Sequence, residues 1–352
     1  MTQDTDVVVI GMGVGGEHVA GRLAEAGLDV VGVEAELVGG ECPYWACVPS
    51  KMMIRAGNLL AEARRVPGMA GQASVTPDFA PVAARIREEA TDGWSDQAAV
   101  DRFTGKGGRF VRGRGRLAGP GRVDVDGQVF TAGRGVVLAT GSRPQIPPVP
   151  GLDQVPYWTN RDAVAAEEPP GSLIVLGGGA VGLELAQAFA RFGTRVTVVE
   201  ARDQLLPVEE PEAGALLAEV LGAEGIAVRT RARATAVRHG GDTGDTGGAG
   251  VVGNAGGAFT LTLDGGDPIT ADRLLVATGR RPNLADLGLE TVGLDPDARA
   301  LSVDGQLRAT EGVWGSATSP GPARSPMWRC TRPRSPYAPS SARRDPARTT
   351  TP

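Results

Sequence analysis

The chain has 352 residues, of which 41% are hydrophobic, and this length and composition predict a globular protein of two or three domains. Its formal net charge of −5 argues against nucleic acid as a main partner. No apolar run reaches the roughly 18 residues of a membrane span, and acidic residues stand near the start where a signal peptide would be basic, so we predict a cytoplasmic protein without a membrane segment.

The first predicted unit opens with a strand, a glycine-rich turn and a helix. An apolar, β-branched run over residues 6–10 predicts a buried strand, helical spacing follows over 17–26, and a second strand is expected over 29–33. In this fingerprint, glycines let the backbone approach a dinucleotide, the helix N-terminus holds the pyrophosphate, and an acid accepts the ribose hydroxyls. The residues predicted to do this are Gly11, Gly13, Gly16 and Glu34.

Two of the three cysteines, Cys42 and Cys47, follow directly after this unit's second strand. Pro49 fits the first turn of a helix, which would place Cys47 at the helix N-terminus. The helix dipole, with Lys51 nearby, is expected to favour the reactive thiolate of Cys47. In a reducing cytosol such a close pair is more often catalytic than structural. We therefore predict a dithiol that interconverts with a disulfide.

Two other roles compete for the cysteine pair. A zinc site needs about four ligands, and beyond the pair the sequence offers only Cys330, His18 and His239 among cysteines and histidines. Two purely structural cysteines are common in proteins, but the Gly-Gly before the pair and the Pro-Ser-Lys after it favour chemistry. We expect no metal.

The fingerprint then recurs further along the chain. A strand over residues 173–176, a helix over 183–192 and a strand over 195–199 surround a second set of glycines, and the interval from Gly16 to Glu34 equals that from Gly182 to Glu200. Each unit closes with a strand that ends in Ala-Thr-Gly, where small residues let the backbone pass close to a nucleotide. The chain is therefore predicted to bind two dinucleotides.

Together, the cysteine motif, the two fingerprints and the two Ala-Thr-Gly turns resemble the pyridine nucleotide-disulfide oxidoreductases, over residues 6 to about 315. The resemblance implies an α/β fold with two Rossmann-like domains, an enzyme, and a hydride that passes from NAD(P)H through FAD to a disulfide. It implies an FAD domain over 1–150 with the redox disulfide, an NAD(P)H domain over 151–281, and a return to the FAD domain over 282–315.

The resemblance also implies a role for individual residues. Cys47 is similar to the thiol beside the flavin, Cys42 to the thiol that exchanges with substrate, Lys51 to the lysine near flavin N5, and Glu184 to the acid that pairs with it. The residues implied to hold FAD are Gly11, Gly13, Gly16, Glu34, Gly40, Thr140 and Gly141. Those implied to hold the nicotinamide nucleotide are Gly177, Gly179, Gly182, Glu200, Gly279 and Arg280.

The choice of nicotinamide and of acceptor rests on fewer residues. A carboxylate at Glu200 accepts a 2′-hydroxyl and repels a 2′-phosphate, so NADH is favoured over NADPH, although Arg202 softens that repulsion. Between the cysteines the family is usually small and polar, whereas this chain has the bulky Tyr44 and Trp45. We expect both to read the acceptor, which is a small-molecule or protein disulfide of unidentified structure.

Residues 316–352 are a different kind of sequence. They contain seven arginines, one aspartate and no apolar periodicity, which predicts a disordered tail. The resemblance places a Gly-Asp flavin turn and then a dimerisation domain with a His-Glu pair here, so we expect that homodimer-forming domain to be missing. A one-base frameshift near the Gly315 codon would explain the change. Two further hypotheses remain: an inactive nucleotide-binding remnant, and an NADH oxidase that does not use the cysteines.

Overall fold

The computed structural model describes residues 2–240 and 257–315. The prediction for the tail over 316–352 lies outside these residues. The strands are β1 (Thr2–Ile10), β2 (Val30–Glu34), β3 (Arg109–Arg112), β4 (Gly115–Leu117), β5 (Arg122–Val125), β6 (Gln128–Leu138), β7 (Ser142–Pro144), β8 (Ser172–Leu176), β9 (Arg195–Val199), β10 (Ala227–Arg229), β11 (Ala234–His239), β12 (Phe259–Leu263), β13 (Ile269–Ala271), β14 (Arg273–Val276), β15 (Arg280–Pro282), β16 (Arg308–Thr310) and β17 (Val313–Gly315).

The α-helices are α1 (Val14–Glu25), α2 (Glu41–Tyr44), α3 (Cys47–Arg65), α4 (Ala80–Arg85), α5 (Gln97–Thr104), α6 (Asn160–Val164), α7 (Ala180–Arg191) and α8 (Pro211–Ala223). Short 3₁₀ segments occupy Leu152–Gln154 and Leu289–Val292, and a π-helical segment, Ile86–Ala90, continues α4. The helix after the first glycine turn begins earlier than the spacing predicts, because Gly13 itself is its N-cap.

The first unit is an eight-stranded sheet in which β16, β17, β6, β1, β2 and β3 lie side by side. Its centre is parallel, and the valines of β1 and β2 are buried on both faces, as expected for strands covered on each side. Ile10 at the end of β1 pairs with Leu138 at the end of β6. The first glycine turn and the first Ala-Thr-Gly turn therefore emerge together at one edge of the sheet.

The second unit repeats this arrangement with β10, β9, β8 and β14, all parallel. Leu176 of β8 pairs with Val276 of β14, so the second glycine turn also emerges beside the second Ala-Thr-Gly turn. The antiparallel strands β11, β12 and β13 form a separate three-stranded sheet. The prediction of an α/β fold with two Rossmann-like units is confirmed, whereas the exact domain boundaries stay a prediction.

The two units share a hydrophobic core around the helix that follows the cysteines. Met53 of α3 is fully buried with Phe79, Phe189 of α7 and Leu275 of β14 in one cluster. The rings of Phe79 and Phe189 stack with their centroids 5.9 Å apart. The antiparallel pair of β7 and β15 adds a second connection. The cysteine motif is thus fixed between the units rather than on either one alone.

Candidate active site

The first glycine turn is packed so tightly that two of its positions exclude any side chain. Gly11 has a φ of +93°, and a Cβ there would lie 2.4 Å from the carbonyl oxygen of Ala139. A Cβ on Gly16 would lie 1.9 Å from the carbonyl oxygen of Gly11. These two glycines let the turn and the first turn of α1 close onto the adjacent strand end.

Gly13 serves a different purpose, because the space beside it is open. A Cβ there would meet only the Cα of Gly40, at 3.9 Å. Gly13 is the N-cap of α1, and no side chain caps the helix. The backbone N–H groups of the first turn are therefore presented to a space that a side chain at this position would fill, as expected where a phosphate approaches a helix N-terminus.

Glu34 closes this site at the end of β2. Its carboxylate accepts a hydrogen bond from the backbone N–H of Met12 at 2.7 Å and another from that of Glu36 at 2.8 Å. The acid is thus held against the glycine turn by two backbone donors. This location is compatible with the predicted contact to a ribose.

The second glycine turn repeats these contacts almost one for one. A Cβ on Gly177 would lie 2.5 Å from the carbonyl oxygen of Ala277, and one on Gly182 would lie 2.5 Å from that of Gly177. A Cβ added to Gly179, the N-cap of α7, would meet no atom within 4 Å, and no side chain caps that helix. Glu200 accepts from the backbone N–H of Gly178 at 2.7 Å and of Arg202 at 2.8 Å. The two glycine turns are therefore built alike.

Each Ala-Thr-Gly turn is hydrogen-bonded to a residue that directly follows β7 or β15: Asn283 after β15 for the first turn, and Gln145 after β7 for the second. Thr140 donates its hydroxyl to the carbonyl oxygen of Asn283 at 2.8 Å, and the backbone N–H of Asn283 donates to Gly141 at 3.0 Å. In the second unit, the Thr278 hydroxyl donates to Gln145 at 2.7 Å, and the backbone N–H of Gln145 donates to Gly279 at 2.9 Å. These bonds lock the two strand ends beside their glycine turns.

Arg280, for which the resemblance implies a nucleotide contact, is engaged by protein groups. Its guanidinium donates to the hydroxyl of Ser142 at 2.9 Å and to the carbonyl oxygen of Ser142 at 2.5 Å. It also lies 3.3 Å from a carboxylate oxygen of Glu41. The role of Arg280 toward a nucleotide stays a prediction.

The two cysteines occupy different surroundings. Cys42 lies on the short helix α2 and is half-buried, whereas Cys47 is exposed and is the first residue of α3. Both are free thiols. Burial raises the pKa of the Cys42 thiol to about 11, and the neighbouring Cys47 adds to the rise. The helix N-terminal position predicted for Cys47 is confirmed.

At pH 8 and without FAD we expect an alkylating reagent such as iodoacetamide to modify Cys47 well before Cys42. A pKa of about 11 leaves about one Cys42 side chain in a thousand as thiolate at that pH, and the thiolate is the nucleophile. The rate at Cys42 should rise about tenfold per pH unit up to its pKa. Peptide mass spectrometry on timed samples measures both rates. Equal rates at pH 8 would contradict the burial of Cys42.

Lys51 and Glu184 come together across the two units, as the resemblance implies. The ammonium nitrogen of Lys51 lies 2.5 and 2.7 Å from the two carboxylate oxygens of Glu184. Lys51 is one turn along α3 from Cys47, and Glu184 is on α7. The two side chains are 59% and 44% exposed, so their contribution to folding stability is small. The pair places an ammonium and a carboxylate about one turn of α3 from Cys47.

Gly39 and Gly40 bring the cysteine motif onto the first glycine turn. The backbone N–H of Gly39 donates to the carbonyl oxygen of Met12 at 2.7 Å. Gly40 has a φ of +66°, and a Cβ there would lie 2.8 Å from the Cα of Gly13. The predicted phosphate site and the predicted redox pair are therefore adjacent.

An open groove of about 590 Å³ reaches Cys42 from the outside. Its lining comes from α1, α2 and α5 and includes His18, Tyr44, Arg102 and Lys106. No sequence pattern indicates that these residues meet at Cys42, since His18 belongs to no motif and the two basic residues lie in a segment without one. Glu17 and Asp92 also line the groove, so it offers charged groups of both signs and an aromatic ring to a molecule that approaches the thiol.

The sequence predicts that Tyr44 and Trp45 both contact the acceptor, but Trp45 does not line the groove. Tyr44 lines the groove, although only 6% of it is exposed. Trp45 packs against the shared core and stacks on Trp94, with ring centroids 5.5 Å apart. Trp45, the C-cap of α2, is thus partly buried against the core and Trp94 and does not line the groove.

Two absences apply to residues 2–240 and 257–315. No three or more His, Cys, Asp or Glu side chains converge there on a possible metal position. Cys330, considered as a zinc ligand, lies outside this range. Within the same range, no helix combines the length and the apolar character needed to cross a bilayer.

Comparison with known proteins agrees with this geometry. A sequence model of the family described as "Pyridine nucleotide-disulphide oxidoreductase" matches residues 5–316. The chain belongs to this family. Similar pyridine nucleotide-disulphide oxidoreductases include the mercuric reductase of Acidithiobacillus ferrooxidans, 34% identical over 87% of this chain and 54% of that protein. The dihydrolipoyl dehydrogenase of Thermus scotoductus is 35% identical over 84% of this chain and 61% of that protein.

Solved structures of the family superpose on this one. LpdA from Mycobacterium tuberculosis is 28% identical, with a TM-score of 0.71, and the superposition covers 89% of this chain and 67% of that one. The HOCl-induced flavoprotein disulfide reductase RclA from Escherichia coli has a TM-score of 0.74 at 24% identity, over 88% of this chain and 65% of that one, which is a likeness of fold. The chain spans between half and two thirds of the length of the curated relatives named above.

Proposed function

We propose that this chain acts as an FAD- and NADH-dependent disulfide oxidoreductase with Cys42 and Cys47 as its redox pair. The observation that carries the proposal is the position of the cysteine motif between two equivalent glycine turns. Gly40 contacts Gly13 of the first turn, and Lys51 contacts Glu184 on the helix that follows the second turn. The cysteine motif therefore touches the first turn directly and, through Lys51, the helix that follows the second turn.

The residues at both turns fit dinucleotides. Gly13 and Gly179 leave open the space that a side chain would fill, and each caps a helix whose first N–H groups have no side-chain acceptor. We assign FAD to the first site, with Gly11, Gly16, Glu34, Gly40, Thr140 and Gly141, because the cysteine motif contacts that turn. When bound, FAD supplies a carrier that accepts a hydride from nicotinamide and delivers two electrons to a disulfide.

The chain's own groups support the thiol chemistry. Reduction of a Cys42–Cys47 disulfide gives two thiols, and burial keeps a proton on the Cys42 sulfur, whose pKa is raised. Cys47 is exposed at the N-terminus of α3, so its sulfur is accessible from that end of the helix. Glu184 holds the Lys51 ammonium in place one turn along α3 from Cys47. Cys42 lines the groove, through which a small-molecule or protein disulfide would approach.

We assign NADH to the second site. Glu200 is fixed by two backbone donors beside the open position at Gly179, so its carboxylate cannot easily turn away from a 2′-phosphate. Charge repulsion should then disfavour NADPH, since the exposed side chain of Arg202 only partly compensates. Gly177, Gly182 and Gly279 complete this site.

The location follows as a further part of the proposal. A dithiol pair of this kind is kept available in a reducing cytoplasm, so we place the protein there. This assignment does not affect the test below.

The test is reconstitution with FAD followed by anaerobic titration with NADH. We expect a yellow protein whose flavin absorbance is bleached by NADH, more slowly by NADPH, with two additional titratable thiols per chain at the end. The thiols are counted with a chromogenic disulfide after removal of excess nucleotide. A protein that cannot be loaded with FAD, or whose flavin is bleached without any gain in thiols, would overturn the proposal.

A further inference from the structure

The residue directly before Cys42 is a carboxylate held by several partners. One oxygen of Glu41 accepts from the Arg161 guanidinium at 2.6 and 2.8 Å. Its other oxygen accepts from the side-chain amide of Asn160 at 3.2 Å and lies 3.3 Å from Arg280. The Glu41 side chain is only 23% exposed. An acid at this position is therefore tied to residues more than one hundred positions away.

Asn160 connects to both ends of the helix that carries Cys42. Its amide group also donates to the carbonyl oxygen of Trp45, the C-cap of α2, at 2.7 Å. Asn160 is 7% exposed and is the first residue of α6. A capping box between Thr159 and Asp162 fixes that helix start. Asn160, at the start of α6, is thus hydrogen-bonded to both ends of α2, at Glu41 and at Trp45.

The helix α2 is a single turn, its N-cap Gly40 offers no side-chain bond, and isolated helices this short do not persist in water. Its C-terminal end is held by the buried ring of Tyr44 and by the packing of Trp45 on Trp94 and beside the Arg161 guanidinium. At its N-terminal end, next to Cys42, the side-chain contacts are those that converge on Glu41. The position of Cys42 relative to Cys47 therefore depends in part on Glu41.

We propose that Glu41 is a positioning residue that holds the Cys42 thiol at Cys47 and so stabilises the disulfide relative to the dithiol. The inference rests on the proposed function, since it concerns the same pair. A fixed pair behaves as two thiols at high effective concentration, and loosening α2 lowers that concentration. This effect comes from the distance between the two thiols and does not require any other residue to gain or lose a proton.

The test is the equilibrium of the full chain with glutathione, measured without nicotinamide. Each oxidation moves two electrons from the thiols of Cys42 and Cys47 to glutathione disulfide, which becomes two glutathione molecules that take up the two protons. We expect Glu41→Ala to shift the equilibrium constant about tenfold toward the dithiol, which corresponds to about 30 mV. Acid quenching, alkylation and mass spectrometry give the ratio of the two forms.

Glu36→Gln is the matched control. Glu36 also pairs with Arg161, at 2.8 Å, but it is 55% exposed and lies outside α2. Its loss should leave the equilibrium unchanged. Arg161→Gln should shift the equilibrium in the same direction as Glu41→Ala, and the double variant should shift it no further than the larger single change, because both remove one link.

The outcomes separate this inference from the proposed function. A normal disulfide equilibrium in Glu41→Ala, together with a lower melting temperature, would show a merely structural role and overturn the inference. The proposed function would stand in that case. A wild-type chain that forms no disulfide at all would overturn both.

Discussion

Gly16→Ala should destabilise the first unit severely, whereas Gly13→Ala should leave the fold intact and abolish FAD retention. A methyl group on Gly16 would lie 1.9 Å from the carbonyl oxygen of Gly11, and a backbone atom cannot move aside as a side chain does. We expect a loss of about 3 kcal/mol or more in the free energy of unfolding. A methyl group on Gly13 would have its nearest contact at 3.9 Å, so the fold tolerates it.

The Gly13 variant isolates ligand binding from folding. Its methyl group would project into the space beside the uncapped N-terminus of α1, where the pyrophosphate is expected. Thermal unfolding without nucleotide and flavin absorbance after gel filtration measure the two properties. A folded Gly13→Ala protein that retains FAD would contradict the assignment of that turn. Gly182→Ala and Gly179→Ala provide the same comparison for NADH, because their contacts match.

The two nucleotide units are well predicted from the sequence because their signals are local. Each glycine turn, with its flanking strand and helix, lies within about thirty residues, as a βαβ unit requires. The positions that exclude a side chain, Gly11 and Gly16, follow from the motif, and so does the open position at Gly13. The pairing of Lys51 with Glu184 follows only from the family resemblance, since 133 positions separate the two residues.

The surroundings of the cysteines could not be predicted in this way. Glu41 and Arg161 are 120 positions apart, and no local pattern indicates that a carboxylate before a cysteine meets an arginine on a distant helix. The burial of Cys42 and the stacking of Trp45 on Trp94 depend on where the short helix α2 begins and ends, and sequence patterns do not fix helix ends so closely.

The groove residues Arg102 and Lys106 could not be predicted either, because no sequence motif lies around α5. Arg102 and Lys106 reach the groove only because α5 packs beside α1, where Arg102 lies 2.6 Å from Glu17. Amphipathic spacing predicts a helix but not its neighbour. The residues that would meet an acceptor are thus the part of the site that required the structure.

Cys42→Ser and Cys47→Ser should each abolish NADH-dependent disulfide reduction, by about a thousandfold or more, while FAD is retained. Either change leaves a single thiol, which can form a mixed disulfide but cannot complete an internal one. Anaerobic NADH should still bleach the flavin in both variants, yet no pair of new thiols should appear. Disulfide turnover, flavin bleaching and the thiol count are measured on the same FAD-loaded preparation.

Cys330→Ser is the matched control for the loss of one thiol and should turn over as the wild type does. The pattern of results also distinguishes the other two hypotheses. An NADH oxidase that does not use the cysteines would consume oxygen at the same rate in wild type, Cys42→Ser and Cys47→Ser. An inactive remnant would bind FAD without bleaching by NADH in any variant. Loss of disulfide turnover in Cys42→Ser and Cys47→Ser alone is the result that the proposed redox pair predicts.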